Sequence, residues 1–370
     1  MRRRAIAALA ATAAIPPVLA WASASGAARP NEPFLGDVDG DGVVDRVRLG
    51  VARPDCAVWV EGGRPDGGYQ PAQRYTYRAP GAGRSARCPE LGVAVDLDPG
   101  QPTVPGRAEL VVGWYAGPPD RSGQDLLVLR NFAVSARMPA LDSPNEIGLA
   151  DFDGDRRPDV YLWTDQGEGF ATYLNSGTGT LVPGPVRFCA ARVQQRLADF
   201  DRDGAMDVAI AYADRCDDGS DGVVVVLDAG TTVGLQRDHH GRVGWTVDVL
   251  NADRGGTSDV LTYRQPTGEP GTFLGTGDGR FVSAPLAVPD TATVPVGGSV
   301  HIPLLANDWC GRRCQLTVVV PPSSGSVEVS GSHAVSYRPD ATVESTDRFV
   351  YRLVQDGRTS EASVVVRVVL

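Results

Sequence analysis

Apolar residues fall in short runs along this chain, and polar turn-formers separate them. Val160-Tyr161-Leu162-Trp163, Ala171-Thr172-Tyr173-Leu174, Val208-Ala209-Ile210-Ala211-Tyr212 and Val223-Val224-Val225-Val226-Leu227 are rich in β-branched and aromatic residues. Such runs are too short for ordinary helices, and Gly, Asp and Asn bound them, so they predict strands joined by turns. Gly (44) and Pro (28) are abundant, which fits a chain of many short strands.

Several runs follow one acidic loop. Asp199-Phe200-Asp201-Arg202-Asp203-Gly204-Ala205-Met206-Asp207 places carboxylates at positions 1, 3, 5 and 9. Asp151, Asp153, Asp155 and Asp159 repeat the spacing, as do Asp37, Asp39, Asp41 and Asp45. Carboxylates this close repel unless a cation lies among them, and an all-oxygen set suits Ca2+. The expected ligands are those twelve carboxylates and the position-7 carbonyls of Val43, Arg157 and Ala205. This is the alternation of an EF-hand, but an EF-hand loop has twelve residues and ends in glutamate between helices. Position 6 favours a left-handed backbone; Gly42 and Gly204 suit it and Arg156 departs from it. With ligands supplied by protein, the metal is expected to be structural, with no open position for activating water.

Two weaker copies complete a series. Asp96 and Asp98 begin one, with Glu109 in the final position after an insertion. Asn251, Asp253 and Asp259 mark the other. Five units with a period near 50 residues run over about residues 32–285, and such a period means a propeller, solenoid or array. Four strands and their turns fill one propeller blade. A second hairpin also recurs, as Tyr173-Leu174-Asn175-Ser176-Gly177-Thr178-Gly179-Thr180-Leu181 and Phe273-Leu274-Gly275-Thr276-Gly277-Asp278-Gly279-Arg280-Phe281. Loop and hairpin together resemble the FG-GAP/VCBS repeat family, which implies an integrin-like β-propeller. That family commonly has seven blades, so the expected ring has about five blades and up to seven.

From about Pro285 the aspartates thin out and some seven short alternating runs follow, which read as a β-sandwich over 286–370. Ala306-Asn307-Asp308, Tyr337-Arg338-Pro339, Asp347-Arg348-Phe349-Val350-Tyr351 and the final Val-rich strand resemble a bacterial Ig-like, cadherin-like domain. Trp309-Cys310-Gly311-Arg312-Arg313-Cys314 departs from it, in place of an acidic turn. The fold expected is therefore all-β: four-stranded blades followed by an Ig-like sandwich.

Residues 1–24 read as a secretory signal: Met1-Arg2-Arg3-Arg4, an apolar stretch from Ala5 to Leu19, and Ala22-Ser23-Ala24 as a cleavage site. The mature chain is expected to be secreted, monomeric and without a membrane span. Six cysteines fit that compartment. Proximity pairs Cys56 with Cys88, Cys189 with Cys216 and Cys310 with Cys314, one of 15 connectivities. Net charge is −10 and no basic cluster exists, which argues against nucleic acid.

Catalytic signatures are sparse. Asp238-His239-His240 is the one histidine cluster, and His301 and His333 stand alone. No nucleophile elbow, zinc helix or phosphate loop occurs. The expected function is extracellular binding or adhesion to a glycan, matrix or protein ligand. A carbohydrate-active enzyme, such as a polysaccharide lyase or hydrolase, and a purely structural surface protein are the alternatives. Trp114, Trp163 and Trp245 are candidates for stacking on sugar or for filling blade cores.

Overall fold

The structure is a computed structural model that describes residues 29–370, apart from 80–87, 101–106, 116–124, 142–143, 165–167, 240–243, 252–255, 266–268, 311–313, 332–333 and 341–343. The expected signal over 1–24, His240 and His333 lie outside the described residues.

Among the described residues, five four-stranded antiparallel sheets follow one another, each a meander with its strands in chain order. The first contains β1 (Phe34–Gly36), β2 (Asp45–Ala52), β3 (Asp55–Glu61) and β4 (Gln73–Tyr77). The second contains β5 (Leu91–Val95), β6 (Glu109–Gly113), β7 (Asp125–Arg130) and β8 (Ala133–Pro139). The third contains β9 (Glu146–Ala150), β10 (Asp159–Trp163), β11 (Phe170–Asn175) and β12 (Leu181–Phe188). The fourth contains β13 (Ala190–Ala198), β14 (Asp207–Arg215), β15 (Ser220–Val226) and β16 (Thr232–His239). The fifth contains β17 (Gly244–Leu250), β18 (Asp259–Gln265), β19 (Glu269–Gly275) and β20 (Phe281–Ser283). The five repeats of the sequence are thus five propeller-type blades.

Stacking explains the unbroken apolar runs. β6, β10 and β15 are buried on both faces, because each sheet is covered by the next. Alternate residues serve different neighbours. Val208, Ile210, Tyr212, Val224 and Val226 pack with Phe152, Tyr161 and Phe170 of the third sheet. Ala209, Ala211, Val223 and Val225 pack with Val247, Val260 and Phe273 of the fifth. The fourth strands are freer; β8 has no fully buried residue. Among the described residues the apolar clusters join successive sheets, and none joins the fifth to the first.

The C-terminal part is a two-sheet sandwich. Its strands are β21 (Asp290–Pro295), β22 (Val300–Ile302), β23 (Gln315–Val320), β24 (Gly325–Ser330), β25 (Ala334–Pro339), β26 (Ser345–Gln355) and β27 (Arg358–Val369). One sheet has the order β21-β27-β26-β23 and the other β22-β25-β24. β21 runs parallel to β27. Val294, Ile302, Tyr337, Phe349, Tyr351, Val364 and Val366 fill the space between the sheets. Asp347 accepts hydrogen bonds from Tyr337 Oη at 2.8 Å and from the Ser323 and Ser324 amides, so the aspartate of the Asp-x-Phe-x-Tyr strand anchors a turn. At the junction, Leu286 and Trp309 form a β-bridge, and Trp309 Nε1 donates to Tyr263 Oη of β18 at 2.9 Å.

All three cysteine pairs are disulfide-bonded as proximity suggested. Cys56–Cys88 ties the first sheet to the chain entering the second, and Cys189–Cys216 closes the open end of β13 and β14.

Candidate metal centres

One register rule places every acidic loop. The position-9 residue pairs across the first two strands with the residue before position 1: Gly36 with Asp45, Val95 with Glu109, Ala150 with Asp159, Ala198 with Asp207 and Leu250 with Asp259. The two degenerate copies therefore fold in the same register as the three full ones.

Within the full loops the backbone wraps around the carboxylates. Asp37 accepts the amides of Gly40 and Gly42, Asp151 those of Gly154 and Arg156, and Asp199 those of Arg202 and Gly204. Position 5 accepts the position-7 amide: Val43 to Asp41, Arg157 to Asp155 and Ala205 to Asp203. Turning this tightly requires positive φ at two places. Position 6 has it as expected, at Gly42 (84°), Gly204 (97°) and also Arg156 (68°). Position 4 has it too, at Gly40 (81°), Gly154 (72°) and Arg202 (65°), which the sequence reading missed. Arg156 therefore turns as the glycines do. A side chain in this region is uncommon and costs conformational energy, and each of the last two loops carries one such arginine.

Position 9 is an anchor. Asp45, Asp159 and Asp207 are fully buried, and each takes two backbone amides. One comes from position 2, that of Val38, Phe152 or Phe200, at 2.7–2.8 Å. The other comes from the end of the third strand, that of Gly63, Asn175 or Asp228, at 2.7–2.8 Å. Asp259 takes the Gly275 amide in the same way at 2.9 Å. This carboxylate fixes the mouth of the loop to the hairpin beyond it.

The carboxylates converge. Oxygens of Asp37, Asp39 and Asp41 lie within 4.8 Å of one another, as do those of Asp151, Asp153 and Asp159, and those of Asp199, Asp201 and Asp203. Asp201 and Asp207 group in turn with Asp228, a residue that sequence spacing did not select. Asp45 and Asp155 stand outside these groups. Asp155 forms an ion pair with Arg157, whose Nε also donates to the Asn175 carbonyl. The residue that sets this loop apart is thus Arg157 rather than Arg156. Burial first, and repulsion from neighbouring carboxylates besides, raises Asp39, Asp153 and Asp201 above the usual range. Burial pushes Asp159 and Asp207 up to about 7, against the amides that hold them. Each site therefore gains from a bound positive charge. The oxygen-only donor sets fit a hard cation.

In the second repeat a guanidinium stands beside the acids. Arg130 Nε lies 3.0 Å from Glu109, and its Nη2 lies 4.0 Å from Asp98. Glu109 still accepts the position-2 amide, that of Leu97, at 2.9 Å. For the fifth repeat, Ala252 to Gly255 lie outside the described residues.

Adjacent loops are joined. The position-8 amide of one blade donates to the position-1 carbonyl of the blade before it: Ala108 to Asp37 and Met206 to Asp151, each at 2.7 Å. Position 8 of the third repeat is Pro158, which has no amide hydrogen. There the side chain of Asn175 donates to the Asp96 carbonyl instead, at 2.9 Å. The second hairpin adds the bond from the Gly179 amide to the Leu97 carbonyl.

The other candidates have structural places. Trp114 is buried in the core, while Trp163 and Trp245 are half-buried with their indole nitrogens covered. Asp238 is paired with Arg264 at 2.6 Å. First strands lie side by side and carry a polar row: Gln195 donates to Glu146 at 3.2 Å, and Arg196 meets Asp248 at 3.1 Å.

Residues 151–210 match the FG-GAP-like repeat family, and this stretch contains the Asp151 and Asp199 loops complete. Residues 282–369 match the bacterial Ig domain family. No curated protein matches the chain.

Proposed function

We propose that this chain, with its FG-GAP-like repeat segment and bacterial Ig domain, is an exported calcium-binding module that holds an extracellular glycan or protein ligand. The observation that carries the reading is the repetition of one amide-wrapped acidic loop at three blades, each converging three carboxylate oxygens. Calcium would take Asp37, Asp39 and Asp41 in the first loop, Asp151, Asp153 and Asp159 in the second, and Asp199, Asp201, Asp203 and Asp207 in the third. The carbonyls of Val43, Arg157 and Ala205 would complete those sets, with Asp45 and Asp155 nearby. Extracellular sites of this kind have Kd on the order of 10⁻⁴ to 10⁻³ M. The ion would be structural, because the carboxylates and carbonyl of its own loop would fill most of its coordination shell.

Three disulfides suit an oxidising compartment. Among the described residues, no helix is long and apolar enough to cross a membrane. The ligand surface we favour is the polar row of Glu146, Gln195, Arg196 and Asp248, on strands whose positions the metal loops set. A panel of immobilised glycans and matrix proteins tests this with the purified chain. Binding in millimolar calcium, lost on chelation, weakened by Arg196→Ala and leaving the ligand intact, is the expected result. No binding in calcium, or cleavage of the bound ligand, would overturn the adhesive reading.

A further inference from the structure

Beneath the junction of the two parts lies a carboxyl pair with no role in the metal loops. Asp308 follows the Leu304–Ala306 turn and is 6% exposed. Asp290 opens β21. Tyr351 of β26 stands between them, and Asn307 lies beside Asp290. Among the described residues no arginine or histidine pairs with either carboxyl.

Proton positions follow from the contacts. Asp308 Oδ1 accepts the Val288 amide at 2.7 Å. Tyr351 Oη lies 2.8 Å from Asp308 Oδ2, 2.9 Å from Asp308 Oδ1 and 3.0 Å from the Val288 carbonyl oxygen. The hydroxyl has one hydrogen, so it cannot donate to the carboxyl and to the carbonyl at once. Both contacts are satisfied if Asp308 Oδ2 carries a proton and donates to Tyr351 Oη, while Tyr351 donates to Val288. Ionised Asp308 would draw the hydroxyl to itself and leave the Val288 carbonyl without its donor. The neighbouring charge of Asp290 works against that ionisation.

We propose that the propeller–Ig junction carries a proton-dependent clamp, in which protonated Asp308 and Tyr351 together hold both polar groups of Val288. The clamp reaches the propeller through few residues. The Leu286 amide donates to Trp309 at 2.8 Å and the Trp309 amide to Leu286 at 3.0 Å. Trp309 in turn holds Tyr263. Burial raises Asp308 to about 7 and Asp290 to about 6, so the clamp would open across the neutral range. The sign follows from linkage. A carboxyl whose pKa is higher folded than unfolded makes its contribution at acid pH and loses it as pH rises through the folded value.

The test compares the full chain with Asp308→Asn in saturating calcium, which keeps the loop carboxylates ionised. Asparagine keeps the Oδ1 acceptor and supplies a permanent N–H donor to Tyr351. Hydrogen exchange at the Leu286 and Trp309 amides of the junction bridge should quicken several-fold in the wild type from pH 6 to pH 8.5, beyond the intrinsic change. In Asp308→Asn it should follow the intrinsic rate alone. A variant with the wild-type pH response would overturn the proposal. Infrared difference spectra keep the test open should that variant not fold. A protonated-carboxyl band present at pH 5.5, absent at pH 8.5 and shifted in Tyr351→Phe is expected, and its absence at pH 5.5 would overturn the proposal as well.

Discussion

Backbone amides aimed at a buried carboxylate favour its charged form and oppose the cost of burial. At Asp207 the Phe200 and Asp228 amides do this, although burial still raises the group. Asp207→Asn presents an NH2 group to one of these donors and leaves it buried without an acceptor. The cost should be about 1–3 kcal/mol in urea unfolding with chelator present. Asp203→Asn, in the exposed part of the loop, should instead weaken calcium binding and leave stability in chelator nearly unchanged. Arg157 occupies one acid of its own loop. Arg157→Gln frees Asp155, and calorimetric titration should then show tighter calcium binding at that loop by several-fold. In chelator, Asp159 and Asp207 make the propeller more stable at acid pH, an advantage lost as pH rises through about 7. On the proposed calcium reading the ion takes the ionised acids and should offset that loss, and thermal melts at pH 5 and 8 with and without calcium measure both effects.

At the scale of the element, the unit is a blade joined to its neighbour through loop and hairpin. Asn175 takes the place of the amide that Pro158 lacks, and its own Oδ1 accepts the Gly177 amide at 3.0 Å. Asn175→Ala should therefore loosen the second blade as well as the third. A loss of about 1–3 kcal/mol is expected, with faster hydrogen exchange near Leu97. Strands, repeat period, sandwich and disulfide pairs were all legible in the sequence, because alternation and spacing are local. The second repeat was legible only as Asp96, Asp98 and Glu109, and register then placed Glu109 beside Val95. The pairing of Arg130 with Glu109 was not legible, since its partner lies on another strand and no spacing marks it. Asp228 escaped for the same reason: the equivalent places are Gly63, Asn175 and Gly275, so no pattern in the other repeats pointed to it. Positive φ at Arg202 was hidden because glycine, its usual marker, was replaced.

Across the whole molecule, two kinds of unit meet different demands. The propeller depends on acidic loops that gain from cations and on apolar clusters shared between blades. The sandwich is packed around Tyr337, Phe349 and Tyr351, and its described residues contain none of the acidic groups of three or more. Calcium should therefore act on one part only. The Cys56–Cys88 and Cys189–Cys216 bonds close loops of 32 and 27 residues, each a constraint of about 3–4 kcal/mol on the unfolded chain. Reduction should thus lower the propeller transition further in chelator. The most direct measurement is differential scanning calorimetry of the full chain, in chelator and in millimolar calcium at pH 7.5. The account predicts that calcium raises the Tm of the propeller transition by several degrees and leaves the sandwich transition in place. Coincident thermograms in the two conditions would contradict it.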